Sequence, residues 1–352
     1  MKKQKLDTPP LRWGFMGAGK IANDFATAID TFSKSVHRKV AVATREKQTA
    51  EAFAKKFGFE KPCDSYGDLA KDGDIDIVYI GTVNPNHYEL CKLCLENDKH
   101  VLCEKPLTLR LEHTEKLIKL AEEKGKFFQE AVWSRFFPAY ERLREELAKD
   151  SLGSIKAVTA LFGINDQVTS RILRKDLGGG SLMDIGVYTI QFAMQVYGPF
   201  VPEKVHAVAI KNDEGVDMSV SMTLQWKDGQ IAQLSCSNLA KMESSAEVWG
   251  QAGTLKLHEP FWCPNEIEIN GKTEKHALPK VSHTLEFEHG EGMVYEVQEV
   301  KRCIADGLTE SPHFTHKESH ILAQILDEVK KQIGLSFEEI YSDDKETWKE
   351  AV

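Results

Sequence analysis

The stretch "GGGSLMDIGVY", residues 178–188, sets a carboxylate and a phenol one helical turn apart behind three glycines. Consecutive glycines cost backbone entropy, so they mark a sharp bend or the close approach of another group. Leu182, Met183, Ile185 and Ile190 are apolar, which predicts a buried helix start. Asp184, Val187 and Tyr188 stand at i, i+3 and i+4 and share one face of that helix. An ionisable Asp184 and Tyr188 in such surroundings need polar partners or a chemical task. The competing assignment is that Tyr188 packs a core and Asp184 caps the helix.

A glycine motif near the N-terminus suggests what that task serves. Gly14, Gly17, Gly19 and Ala22 form G-x-x-G-x-G-x-x-A between a predicted strand, "LRWGFM", and a predicted helix. Glycines there allow a tight turn and close approach of the backbone to a pyrophosphate seated on the helix N-terminus. A bare strand–helix turn is the alternative, but the strand–loop–helix context is the one dinucleotide binding requires. An NAD site would put an acidic residue at the end of the second strand, and this chain has Thr44 and Arg45. A guanidinium suits a 2′-phosphate, so NADP is expected, with Glu46 next door as the opposing sign. "CEKP", residues 103–106, ends a further strand. Ligands bind outside the carboxyl edge of such sheets, so Lys105 is expected at the reactive end of the cofactor rather than as a surface charge.

The elements that must hold these groups come in two styles. Strand patterns at 11–16, 39–44, 74–82 and 100–106 and in "KFFQEAV" alternate with helical ones over roughly the first 135 residues. That rhythm predicts a doubly wound parallel sheet, a Rossmann domain over residues 1–135. After a helix at 138–149, dense strand candidates such as "SIKAVTALFGI", "KVHAVAI", "DMSVSMTLQW", "QIAQLSCSN" and "GTLKLH" predict a largely antiparallel open sheet. Two helices, 293–306 and 317–333, end the chain. Residues 136–352 are therefore expected to form an α+β domain for substrate and dimerisation, with its last helices free to pack back on the first domain.

Composition narrows the function class. A chain of 352 residues with 41% hydrophobic and 28% charged residues suits two globular domains. A net charge of −9 argues against a nucleic-acid face. No apolar run reaches the ~20 residues of a membrane helix, and the basic start "MKKQKLDTPP", with no apolar core after it, is not expected to act as a secretory signal. Seven cysteines without framework spacing point to a reducing, cytoplasmic setting. Cys91 and Cys94 fall on a helix's apolar stripe as core filler, so no metal is expected.

Taken together, the glycine loop, "CEKP" and "GGGSLMDIGVY" resemble the glucose–fructose oxidoreductase and inositol dehydrogenase superfamily. "EAVWSRFFPAY" (130–140), "VNPNH" (83–87), "FWCP" (261–264) and "ESP" (310–312) extend the resemblance to its dimeric dihydrodiol dehydrogenase branch, over nearly the whole chain after residue 10. Many superfamily members carry His where this chain has Tyr188. The resemblance implies an NADP-dependent dehydrogenase of trans-dihydrodiols or of aldopyranoses such as D-xylose, with catechol or lactone as product. It implies Lys105, Asp184 and Tyr188 as catalytic groups, Tyr188 trading a proton while hydride moves. An ammonium ~4 Å away would pull the phenol down from its usual pKa of ~10. It also implies cofactor contacts from Gly17, Gly19, Lys20, Ile21, Arg45, Tyr79, His87, Glu104, Lys105 and Asp184. Trp133, Phe162, Val187 and Phe287 are the implied substrate pocket, and the glycines at 178–180 would let the chain pass close to the nicotinamide. A different sugar or inositol oxidoreductase, or a regulator that binds NADP without turnover, are the competing assignments, and the second has no need of Lys105, Asp184 and Tyr188 together.

One sheet face bears on assembly. Val220, Met222, Leu224 and Trp226 alternate with Ser219, Ser221, Thr223 and Gln225. The second set is small and uncharged where solvent-facing strands usually carry Lys and Glu, which predicts a homodimer packed through that face.

Overall fold

The computed structural model describes residues 9–341. Its first sheet is parallel, built from β1 (Leu11–Met16), β2 (His37–Ala43), β3 (Lys61–Pro62), β4 (Ile77–Ile80), β5 (His100–Glu104) and β6 (Phe128–Ala131). The spatial order is β3-β2-β1-β4-β5-β6. Every strand pair in it is parallel, so helices must return the chain across the faces. Those helices are α1 (Lys20–Ile29), α2 (Lys47–Phe57), α3 (Tyr66–Lys71), α4 (His87–Glu96) and α5 (Leu111–Lys124). Order reverses between β1 and β4, which sets the switch point of a doubly wound sheet beside the glycine turn.

After α6 (Pro138–Ala148) comes β7 (Ile155–Gly163), then the short α7 (Ser170–Leu173) and α8 (Val187–Tyr197). β8 (Lys204–Lys211), β9 (Asp217–Gln225), β10 (Ile231–Ser237), β11 (Ala246–Gly250), β12 (Thr254–Leu257), β13 (Glu266–Ile269) and β14 (Lys272–Lys275) complete the second sheet. Its order is β14-β13-β12-β11-β7-β10-β9-β8, antiparallel except where β10 runs parallel to β7. α8 lies across its inner face, on β7 and β10.

The inner face buries Val220, Met222 and Leu224 of β9, Ala232 and Leu234 of β10, and Val158 and Ala160 of β7. Ser221 and Thr223 point the other way and are exposed. On that outer face Val208 of β8 pairs with Ser221 and Ile210 with Ser219, and the two are 71% and 60% exposed. α9 (Met293–Ala305) packs on α1, and α10 (His316–Gln332) on α5, so these two helices return to the first domain. A capping box at Thr315 and Glu318 starts α10.

The sequence patterns run a few residues long at strand ends: β4 is shorter than 74–82, and β5 stops at Glu104, leaving Lys105 and Pro106 in the loop. β14, "KTEK", escaped notice because it is polar on both sides, as an edge strand commonly is.

Candidate active site

At the carboxyl edge of the first sheet, Gly17 takes φ +101° after β1, and its N–H donates to the Ala43 carbonyl at the end of β2. A side chain at Gly17 would meet the Gly81 carbonyl at 2.6 Å, so the turn is sealed behind. Gly19 caps α1 without a side-chain acceptor, and a Cβ added there would meet nothing within 4 Å. The first N–H groups of α1 thus face an open cradle. Lys20 is exposed and Ile21 half-buried beside it, while Arg45 stands exposed just past β2. This arrangement fits the diphosphate and ribose of a dinucleotide.

Further along the edge, Lys105 Nζ donates to the Asp184 carbonyl oxygen at 2.5 Å and lies 3.6 Å from its carboxylate. Asp184 belongs to a π turn, Leu182–Gly186, that runs into α8. Such wide turns recur at functional sites. The same Asp184 oxygen, Oδ1, also pairs with Arg171 Nη2 at 3.0 Å. Lys105 Nζ sits 5.0 Å from the centroid of the Tyr188 ring. Lys105, 79 residues before Asp184 in the chain, is thus brought to the turn that carries Asp184 and Tyr188.

Tyr188 is buried, and its hydroxyl oxygen accepts from Trp133 Nε1 at 2.8 Å. Its ring lies 5.8 Å from that of Phe162, which stacks on Trp262 at 3.8 Å. Ser134 Oγ donates to the Trp262 carbonyl and ties the Trp133 turn to this wall. Val187 is buried beside them.

The electrostatics reverse one sequence expectation. Burial, then the nearby Glu104 and Asp184 carboxylates, push the Tyr188 phenol well above its usual range, against the opposing Trp133 hydrogen bond. Lys105 does not pull it down toward neutrality. The lysine itself is the group moved toward neutrality: burial lowers it, Arg171 lowers it further, and Asp184 and Glu104 oppose. Glu104 is pushed up to about 7 by burial, with Tyr79 and Lys105 opposing.

The glycine run has close neighbours within the chain. Gly179 N–H donates to the Arg174 carbonyl at 3.0 Å and Gly180 N–H to the Ile172 carbonyl at 2.9 Å. A Cβ on Gly179 would strike the carbonyls of Arg171, Ile172 and Arg174, and one on Gly180 would strike the Asp217 carboxylate. Close packing against α7 and Asp217 is by itself enough to require glycine at 179 and 180. Asp217 in turn accepts from Ser181 Oγ and from Leu182 N–H, fixing the start of the π turn.

Three expected contacts lie elsewhere. Tyr79 is fully buried, stacks on Phe25 at 4.1 Å, and donates to Glu104 Oε1 at 2.7 Å, so it supports Glu104 instead of facing the cradle. His87 is fully buried with its ring nitrogens 2.9 Å from the Pro106 carbonyl and 3.2 Å from that of Thr82, so it faces the backbone of its own loops. It pins the loop that carries Lys105. Phe287 is 43% exposed beside α1, where its N–H donates to Asp24, and it has no ring contact with the Tyr188 wall among the described residues. Arg171, Trp262 and Asp217 were not singled out from sequence. Trp262 lay inside the quoted "FWCP", while Arg171 and Asp217 become visible only when α7 and β9 fold against the glycines. Among the described residues no cluster could hold a metal ion.

Residues 11–132 match the family model described as "Oxidoreductase family, NAD-binding Rossmann fold", and residues 140–256 match "GFO/IDH/MocA C-terminal domain". The chain is 40% identical over 328 residues to the trans-1,2-dihydrobenzene-1,2-diol dehydrogenase of Sus scrofa, covering 93% of this chain and 98% of that one. It is 38% identical over 326 residues to that of Xenopus tropicalis, covering 93% and 99%. Among solved structures, a 3-ketoreductase from Actinomadura kijaniata in complex with NADP and TDP-benzene superimposes with a TM-score of 0.76 at 26% identity, over 92% of this chain and 98% of that one. A levoglucosan dehydrogenase shares the fold with a TM-score of 0.82 at 20% identity, over 92% and 97%. Pattern, fold and relatives agree: the chain belongs to the GFO/IDH/MocA family of dinucleotide-dependent oxidoreductases.

Proposed function

We propose that the protein is an NADP-dependent dehydrogenase that oxidises a ring CH–OH, of a trans-dihydrodiol or of an aldopyranose such as D-xylose. The observation that carries this is Lys105 facing both Asp184 and Tyr188 inside an aromatic wall at the carboxyl edge of the sheet. Relatives named as trans-1,2-dihydrobenzene-1,2-diol dehydrogenases support the substrate class. Residues 1–135 would hold NADP and 136–352 the substrate.

A bound nicotinamide ring supplies the hydride acceptor. Gly17, Gly19, Lys20 and Ile21 would hold the diphosphate and Arg45 the 2′-phosphate. The protein's own part is proton transfer and aim. With its phenol kept protonated, Tyr188 donates to the substrate oxygen and orients it, its own oxygen already held by Trp133. Lys105, lowered toward neutrality, takes the hydroxyl proton on Nζ as the carbonyl forms. Phe162 and Trp262 pack on the apolar face of the ring. The test is turnover of the purified protein with NADP on a panel of dihydrodiols and aldoses, followed by absorbance of the reduced cofactor. Absence of turnover on every member overturns the reading.

Cofactor choice rests on Arg45. In Arg45→Asp, NADP affinity is expected to fall by about 10²-fold, with NAD affinity changed by less than about threefold. Equal affinity of the wild type for both dinucleotides would remove Arg45 from recognition.

The protein is further expected to be a cytoplasmic homodimer. Its seven cysteines are all free thiols, which supports a reducing compartment. Val208 and Ile210 lie exposed among Ser219, Ser221 and Thr223, and such an apolar-small mixture suits burial against a second copy. Light scattering should give twice the chain mass, and Ser221→Lys with Thr223→Lys should halve it. A dimer indifferent to those charges would place the contact elsewhere.

A further inference from the structure

We propose that Arg171 is a positioning residue for proton transfer: it shares the single Asp184 oxygen that Lys105 faces and so keeps the lysine amine available as a base. The inference rests on the dehydrogenase reading above.

Asp184 Oδ1 lies 3.0 Å from Arg171 Nη2 and 3.6 Å from Lys105 Nζ. Two cations therefore converge on one carboxylate oxygen. The nearer partner is the guanidinium, which stays charged at any pH the protein meets. Left alone with Asp184, Lys105 would be an ordinary buried ion pair, and the carboxylate would hold its proton in place. Arg171 partly neutralises that carboxylate and adds a positive charge of its own, and both effects favour the neutral amine. The Asp184 carbonyl, by contrast, holds Nζ in position at 2.5 Å without adding a net charge. Position and proton affinity of Lys105 are thus set by different atoms of one residue.

The sequence spends several residues on delivering Arg171. α7 is a single short turn, held at its start by Asp166, which accepts from the Thr169 N–H at 3.0 Å and the Thr169 hydroxyl at 2.7 Å. Asn212 Nδ2 donates to the Leu173 carbonyl at its end. Gly179 and Gly180 lie flat against the same turn, where any side chain would collide with its carbonyls or with Asp217. The glycines ahead of the π turn thereby seat Arg171 over Asp184. The Arg171 side chain is 37% exposed, against 14% for that of Lys105 and 12% for that of Asp184, so it is the outermost of the three.

The other ionisable groups facing Lys105 do not substitute for it. Glu104 on β5 and Asp184 favour the ammonium, as does Glu130 on β6, itself pushed up to about 7 by burial. His87 on α4 is neutral, lowered by burial, and the Tyr188 phenol on α8 stays protonated. Arg171 is the cation among these neighbours.

Arg171→Met is expected to lower kcat for oxidation about tenfold near pH 7 and to leave it within about twofold of wild type near pH 10, where the amine is neutral in both proteins. KM for NADP should stay put. Arg171→Lys, which keeps the charge, should recover most of the loss near neutrality. A uniform loss at all pH values, or an Arg171→Lys enzyme as impaired as Arg171→Met, overturns the proposal. Independently of turnover, the pH dependence of Lys105 acetylation by trace acetic anhydride, read by peptide mass, should move to higher pH in Arg171→Met. An unmoved profile overturns the proposal even if the enzyme turns over. If the wild type has no turnover on the panel but the labelling profile moves, the dehydrogenase reading falls and the Arg171–Lys105 coupling stands.

Discussion

Lys105→Met and Tyr188→Phe are each expected to lower kcat by about 10²-fold or more, and to do so with different pH signatures. In the proposed reaction Lys105 acts as base only when neutral, so oxidation by the wild type should slow as pH falls through the pKa of its amine. That amine titrates below the ordinary lysine range because it is buried, with Arg171 adding to the effect against Asp184. Lys105→Met has no such group, and its residual rate should lose that limb. Tyr188→Phe should keep the limb at the lower amplitude, because the phenol, pushed upward by burial, does not titrate in the working range. NADP affinity should survive the tyrosine change, since the hydroxyl is bonded to Trp133 and aimed at substrate. A Tyr188→Phe enzyme that loses the limb, beside a Lys105→Met enzyme that keeps it, would exchange the two roles.

The contrast between these residues shows what could be read from the chain before it was folded. Periodicity alone gave the parallel half of the fold, because each strand is a short apolar run and each returning helix an amphipathic one. Spacing also put Asp184 and Tyr188 on one helix start. What spacing cannot carry is environment. The expected fall of the Tyr188 pKa counted one nearby cation and left out burial and two carboxylates, whose combined effect is larger and opposite. Tyr79 and His87 sit at motif positions next to the cofactor edge, yet both are wholly buried and act through Glu104 and the Lys105 loop. Arg171 was invisible for a related reason. An arginine seven residues before a glycine run has no sequence signature, and its role exists only because those glycines lack side chains.

Two glycine substitutions should separate the parts of the chain shaped by folding from those shaped by a ligand. Gly180 has φ +114°, and a Cβ there would collide with the buried Asp217 carboxylate that caps the π turn. Gly180→Ala therefore combines backbone strain with displacement of a buried acceptor, at a cost of about 3 kcal/mol or more. At ~2–4 °C per kcal/mol, the melting temperature should fall by roughly 6–12 °C without any ligand present. Gly19 is the opposite case. Its φ of −79° suits any residue, and the space in front of its Cα is empty to 4 Å. Gly19→Val should leave the melting temperature of the free protein within about 2 °C, because nothing in the fold meets the new side chain. Its methyl groups would instead occupy the cradle over the first turn of α1, so NADP affinity should fall by about 10²-fold, close to 2.7 kcal/mol. Calorimetry of the free protein and titration with NADP read the two effects separately. A Gly19→Val protein that binds NADP as tightly as wild type would mean that the dinucleotide does not lie over the start of α1.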